Sequence, residues 1–202
     1  MFRLILSVIA LLGLAGCAAE PVWAPDDQVE ALRFVSGAPA EITLFTVINN
    51  RSGSGAHSGL LINGTQRVMF DPAGSWHHPR VPERNDVHFG ITDRMTAFYI
   101  DYHARETFRV IEQRLLVPPE VAELVMRRAM SYGAVPKAHC TTSIASILRG
   151  VPGFERLPAT WFPKKFSEAF GKLPGVKTRV ITDDDADNNH GVLIVQASTD
   201  PA

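Results

Sequence analysis

The spacing of apolar residues changes partway along the chain, and that change decides the class of fold it can adopt. Over residues 41–117 apolar side chains recur at about every second position in short runs; over residues 118–173 they recur at helical spacing. Residues 41–49 set Ile42, Leu44, Phe45 and Val47 against Thr43 and Thr46 and read as a strand. Residues 57–62 and 66–70 are strand-like on either side of Asn63-Gly64-Thr65, a strong hairpin signal. Residues 96–103 and 107–117, rich in aromatic and β-branched side chains, add two further strands. Pro118-Pro119-Glu120 then opens a helix that carries Val121, Leu124, Val125 and Ala129 on one face and stops at Gly133. A second helix runs from Thr141 or Thr142 to Arg149 with Ile144, Ile147 and Leu148 inward, ending at Gly150. A third is expected over residues 163–173, followed by strands over 177–182 and 191–196. The pattern describes an α+β protein, a small antiparallel sheet packed against helices.

The intervening segments carry fewer signals. Residues 72–86 hold three prolines, Gly74 and the pair His77-His78, have no usable period, and read as a surface loop. Residues 183–189, Asp-Asp-Asp-Ala-Asp-Asn-Asn, lack the glycine and closing glutamate of a calcium loop and read as a solvated hairpin connection. His77, His78, His88 and His103 offer imidazoles, but adjacent His77 and His78 rarely reach one ion, and neither a second free cysteine nor an HExxH spacing supports a site. No metal and no cofactor are expected. The formal charge of −1 comes with no basic block, which argues against a nucleic-acid partner.

The first sixteen residues have a basic start at Arg3, an apolar run over residues 4–14, and small Ala15 and Gly16. This is a signal segment whose apolar run is shorter than the roughly 20 residues of a membrane-spanning helix. Leu14-Ala15-Gly16-Cys17 resembles the lipobox of bacterial lipoproteins. The resemblance implies a diacylglyceryl group on the Cys17 sulfur, cleavage before it, and acylation of the new amine. Ala18, not Asp, follows the cysteine and resembles the outer-membrane sorting pattern of Gram-negative lipoproteins, which places the protein in the cell envelope facing the periplasm. The division expected is residues 1–16 as signal peptide, 17–38 as lipid anchor and tether, with its prolines at Pro21 and Pro25, and 39–202 as one domain.

The chain has only two cysteines. With lipid on Cys17, Cys140 is a lone thiol in a compartment that oxidises thiols, so it is either buried and inert or kept for its reactivity. It lies at a helix start, where unpaired backbone N–H groups favour a thiolate and equally an oxyanion. A base is needed within reach. His139 adjoins Cys140 but points away on an opening helix. His57 follows a glycine-rich loop, and small Ser58 and Gly59 leave room beside it. If Asn63, Gly64 and Thr65 form a three-residue loop, Ile62 faces Gln66 and His57 faces Asp71; a two-residue turn sets Phe70 opposite His57 instead.

The order of a His-Ser-Gly-apolar strand, a second strand ending at an acid, and Cys-Thr-Thr opening an apolar helix resembles the circularly permuted NlpC-type papain-like hydrolases, an assembly that includes lecithin retinol acyltransferase-like proteins. The resemblance spans about residues 57–148. It implies Cys140 as nucleophile, His57 as general base and then acid, and Asp71 as orienting residue, although the family usually has Glu, His or another polar residue there. The aromatic that completes the oxyanion hole in some relatives has no counterpart that can be placed. The substrate implied is an amide or ester of a cell-wall peptide or a lipid. The alternative is a non-catalytic envelope lipoprotein that uses the fold to bind or scaffold. Trp76, Trp161 and Phe162, beside proline or histidine loops, are candidates for lining a groove or for the core.

Overall fold

A computed structural model describes residues 19–199, so the leader and Cys17 lie outside the described residues. Seven strands form one antiparallel sheet in the order β4-β5-β3-β2-β1-β6-β7. They are β1 (Glu41–Asn49), β2 (Gly55–Asn63), β3 (Arg67–Phe70), β4 (Glu83–Arg84), β5 (Val87–Phe89), β6 (Phe108–Leu116) and β7 (Lys177–Ile181). Among the described residues six helices accompany them: α1 (Asp26–Ala31), α2 (Asp93–His103), α3 (Pro119–Met130), α4 (Cys140–Leu148), α5 (Pro163–Phe170) and α6 (Asn189–Ser198).

β1 is central and covered on both faces, which is why its interior positions are buried without a polar side. Ile42 and Leu44 join Leu60, Ile62, Ile144, Leu148, Phe166 and Phe170 in the core beneath α3, α4 and α5. Phe45 turns the other way, into a second core with Met69, Trp76, Met95 and Tyr99 under α2. The molecule is therefore an α+β protein in three layers, with the sheet in the middle.

Four expectations change. Residues 96–103 are helical, within α2, because Met95, Tyr99 and Tyr102 recur at helical spacing and are the buried ones, and because the Thr92 hydroxyl accepts from Met95 N at 3.2 Å as an N-cap. Aromatic and β-branched composition favours strands only weakly, and burial of that face overrides it. Residues 191–196 are likewise helical, in α6, opened by Asn188, whose side chain accepts from Gly191 N at 3.1 Å. Residues 183–189 thus join a strand to a helix, and Asp185 pairs with Arg105 at 3.2 Å instead of being only solvated. Residues 72–86 are not a surface loop throughout: Trp76 and His78 are buried, since the indole packs edge-on against Tyr99 and His88.

The segment after Cys17 is held against the domain from Val22 onward. Asn85 N donates to the Val22 carbonyl at 3.0 Å and Ala24 N to the Glu83 carbonyl at 2.9 Å, while the Arg84 guanidinium covers the Trp23 ring at 4.8 Å.

α6 docks mainly through one polar side chain. Gln196 accepts from Trp76 Nε1 at 3.2 Å and donates to the Phe98 carbonyl and the Asp101 carboxylate, each at 2.9 Å. Its own carbonyl accepts from His78 Nε2 at 3.1 Å. Replacing Gln196 by Leu strands those buried groups and is expected to cost about 2 kcal/mol in denaturant unfolding. Amide exchange should quicken across residues 189–198 before it changes in β1.

Candidate active site

β3 pairs only with Leu60–Asn63 of β2, so the stretch from Gly55 to Gly59 has an open edge on that side. The site is assembled at this opening from both faces of the sheet. His57 shares its strand face with Gly59 and Leu61, on the α2 side. Cys140 comes from the mouth of α4, whose Ile144, Ile147 and Leu148 pack on the opposite face. The sulfur lies 3.8 Å from the Thr141 hydroxyl and comes to the edge near the Ser58 backbone amide and the His57 imidazole.

The observed register pairs Leu60 with Phe70 and Asn63 with Arg67, so the turn is Gly64-Thr65-Gln66 and Asp71 continues opposite Gly59. This is two residues off the expected pairing of His57 with Asp71. Because side chains alternate with a period of two, an even displacement keeps His57 and Asp71 on one face, now as diagonal neighbours. His57 Nε2 donates to Asp71 Oδ1 at 2.6 Å, leaving Nδ1 as the nitrogen for the thiol.

Asp71 is 1% exposed and would be costly to bury as an unpaired anion. Besides His57 it accepts from the Tyr99 hydroxyl at 2.7 Å on the same oxygen. Two glycines make the room. A Cβ on Gly59 would lie 2.2 Å from the Tyr99 hydroxyl, and one on Gly74 would lie 1.8 Å from Asp71 Oδ2. On the far side His103 lies parallel to His57, with ring centroids 5.6 Å apart, and its Nδ1 donates to the Tyr99 carbonyl at 2.8 Å.

Backbone strain flanks both site residues. Ala73, two positions after Asp71, has φ of 56°, and Ala138, two positions before Cys140, has φ of 66°. Left-handed alanines are held only where the surroundings over-determine them, and such positions gather at functional sites. The carboxylate of Asp86 ties the two loops together, accepting from Ala73 N at 2.8 Å and Val135 N at 2.7 Å.

The electrostatics follow from these contacts. Burial works against a charged His57, but the Asp71 charge and hydrogen bond, aided by Cys140, raise its pKa to about 10. Burial also works against a Cys140 thiolate, yet the hydrogen bond and charge of His57, with Thr141 and the Ser58 amide, lower the thiol below its ordinary value. Burial opposes the Asp71 charge as well, and His57 nevertheless holds that carboxyl well below the usual carboxylate range. Burial depresses His103 to about 4, so it is a neutral ring near neutral pH. Burial and the neighbouring Asp71 push Tyr99 well above 10. The arrangement favours an imidazolium–thiolate pair braced by a carboxylate.

A cleft of about 230 Å³ opens beside the imidazole, lined by His57, His103, Gly74, Ser75, Tyr102 and Arg105 among others. Cys140, 8% exposed, does not line it.

The structure brings Cys140, His57 and Asp71 together. His139 stays out of the cluster and stacks edge-on against Trp161, with centroids 4.4 Å apart. His77 is exposed, His78 bonds Gln196, and His88 lies against Trp76. Sequence reasoning missed Tyr99, weighed His103 only as a metal ligand, and missed the Ser58 amide. Reading α2 as a strand hid the first two, since only helical spacing aligns Met95, Tyr99 and Tyr102 on one face. The amide has no side-chain signature at all. Among the described residues, His57, Asp71 and His103 present possible metal-ligand atoms within 4.8 Å of one another, as do Asp101, Asp183 and Asp185.

Fold and site together define an α+β protein with a Cys–His–Asp cluster at an open sheet edge. In comparisons with known proteins, no family model, no curated protein and no solved structure matches the chain.

The close fit at Gly59 is testable. Gly59→Ala forces the Tyr99 hydroxyl aside and is expected to destabilise by about 1–3 kcal/mol. Adding Tyr99→Phe removes the clashing atom, so in urea unfolding the pair should cost less than the sum of the single changes.

Proposed function

We propose that this protein is a lipid-anchored cysteine hydrolase or acyltransferase of the cell envelope, with a permuted papain-like, NlpC-type arrangement of its site. The observation that carries the reading is the convergence of the Cys140 thiol, the His57 imidazole and the Asp71 carboxylate at one sheet edge, with the thiol depressed and the imidazole raised. Cys17 is the anchor in this reading, and the outer membrane facing the periplasm is the location.

The chemistry needs no group beyond the chain. The Cys140 thiolate attacks the carbonyl carbon of an amide or ester, and the carbonyl π electrons move onto oxygen. The Ser58 amide and the N-terminal amides of α4 are the donors available to that oxyanion. As the tetrahedral species collapses, the bond to the leaving amine or alcohol breaks and His57 gives that group its proton, leaving a thioester on Cys140. His57, now neutral, takes a proton from water or an acceptor hydroxyl or amine as it attacks the thioester, and the thiol departs as thiolate beside imidazolium. Asp71 stays ionised and holds the ring with Nδ1 toward sulfur. Substrates of cell-wall peptide or lipid type fit this chemistry equally.

A binding or scaffolding module on the same fold is the second reading. It is favoured by one observation, the low exposure of Cys140 and its absence from the cleft beside His57.

The readings part on thiol reactivity. Alkylation of Cys140 by iodoacetamide should titrate below the free-thiol value of about 8.5, because the imidazolium persists up to about 10 and stabilises the thiolate throughout that range. His57→Ala should return the midpoint toward the free-thiol value. Sluggish alkylation, unaltered by that change, would leave only the binding module. Separately, Cys17→Ser is expected to abolish incorporation of radiolabelled palmitate and to free the protein from membranes on fractionation.

A further inference from the structure

The reach of the anchor is short compared with the body it holds. Val22 is the fifth residue after Cys17 and is hydrogen-bonded to Asn85, so the stretch between Cys17 and that bond spans at most about 17 Å at roughly 3.4 Å per residue. A domain of this length has a radius of gyration of about 16 Å. A body of that size on so short a leash cannot stand away from the bilayer; the part of its surface near Val22 must lie against it.

That surface borders the cleft beside His57, since Ala73 and Gly74 line both that cleft and the one at Val22. Val22 and Glu20 share a cleft of about 170 Å³ with Val135 and Lys137, and Lys137 is two residues before His139. His139 precedes Cys140 and packs its ring on Trp161. Trp161-Phe162-Pro163-Lys164-Lys165 follows this contact. Trp161 is 56% and Phe162 68% exposed, and both lysines are exposed. Pro163 and Lys164 in turn press against Gly55, two residues before His57. Trp23, on the anchor segment itself, is 64% exposed.

Exposed aromatics beside lysines suit one kind of partner. Indole rings settle at the headgroup level of a bilayer, where one side is apolar and the other wet, and lysines there are drawn to anionic headgroups. We propose that Trp161, Phe162, Lys164 and Lys165, together with Trp23, form the surface by which the domain lies on the lipid bilayer, so that the start of α4 and the cleft beside His57 lie near headgroup level. The inference rests on Cys17 being the lipid anchor. It adds an orientation that the anchor alone does not specify, and it directs the site toward carbonyl groups presented at the membrane surface.

The test uses the full lipidated chain in vesicles of phosphatidylethanolamine and phosphatidylglycerol, with and without lipid bearing a nitroxide near the headgroup. The chain has three tryptophans, and Trp76 is buried in the core as an internal control. The nitroxide lipid is expected to quench Trp23 and Trp161, so Trp161→Phe and Trp23→Phe should each remove about half of the quenchable emission. In the Lys164→Glu/Lys165→Glu variant, the share lost with Trp161 should fall at least twofold. Flotation with the vesicles but equal quenching in wild type and Trp161→Phe overturns the orientation and leaves the anchor standing. Failure to float overturns both. Alkylation of Cys140, measured on the same samples, reports on the thiol–imidazole pair independently of either result.

Discussion

A carboxylate buried without partners would be protonated or expelled, and the site around Asp71 is organised by the need to avoid that. One oxygen accepts from His57 and Tyr99 together, and the imidazole that neutralises the charge is thereby fixed in tautomer and direction. Packing follows from the same requirement. Gly59 and Gly74 are glycines where any side chain would occupy the space of the hydroxyl or the carboxylate. α2 must present Tyr99 at that depth, and α6 with Gln196 backs α2 against the sheet. The charge on Asp71 keeps His57 protonated, and protonated His57 depresses the thiol. One buried anion therefore links the core on one side of the sheet to a sulfur that belongs to the other.

The open edge of β2 is what lets that link cross the sheet. β3 leaves its pairing after Phe70, and the chain turns at Pro72 and the left-handed Ala73. Had β3 continued alongside Gly55 to Gly59, its ladder would have used the edge at which the Ser58 amide now meets sulfur. The early end of a short strand is thus a structural condition for the cluster. The strained alanines mark the two loops that create it, and Asp86 bonds both of them.

Much of this was legible in the residues. The central strand, the hairpin, α3, α4 and the strand at 177–181 follow from period and punctuation, because their patterns are long or carry strong caps. Cys140 at a helix mouth and His57 beside small residues were visible for the same reason. The pairing of His57 with Asp71 survives a register two residues away from the expected one, since alternation preserves the face. Residues 96–103 and 191–196 read as strands yet fold within α2 and α6, because short segments rich in aromatic or β-branched side chains are ambiguous and the caps Thr92 and Asn188 lie outside those segments. His78 reads as a loop residue and Trp76 as either groove or core, because a proline-rich segment carries no periodicity even when parts of it are buried.

By itself the sequence determined what local chemistry can encode: alternation, helix starts and stops, an apolar run that ends in small residues and Cys17, and few candidate bases for Cys140. Only the tertiary structure decided that Tyr99 shares Asp71 with His57, that His103 lies beside the pair, and that a backbone amide of β2 meets the sulfur of α4. Those contacts join residues 28 or more positions apart across a sheet edge, and two of them involve groups with no distinctive sequence signal. Periodicity reports which face a side chain takes within its own element; which elements then meet is fixed by where strands end and what the core must cover.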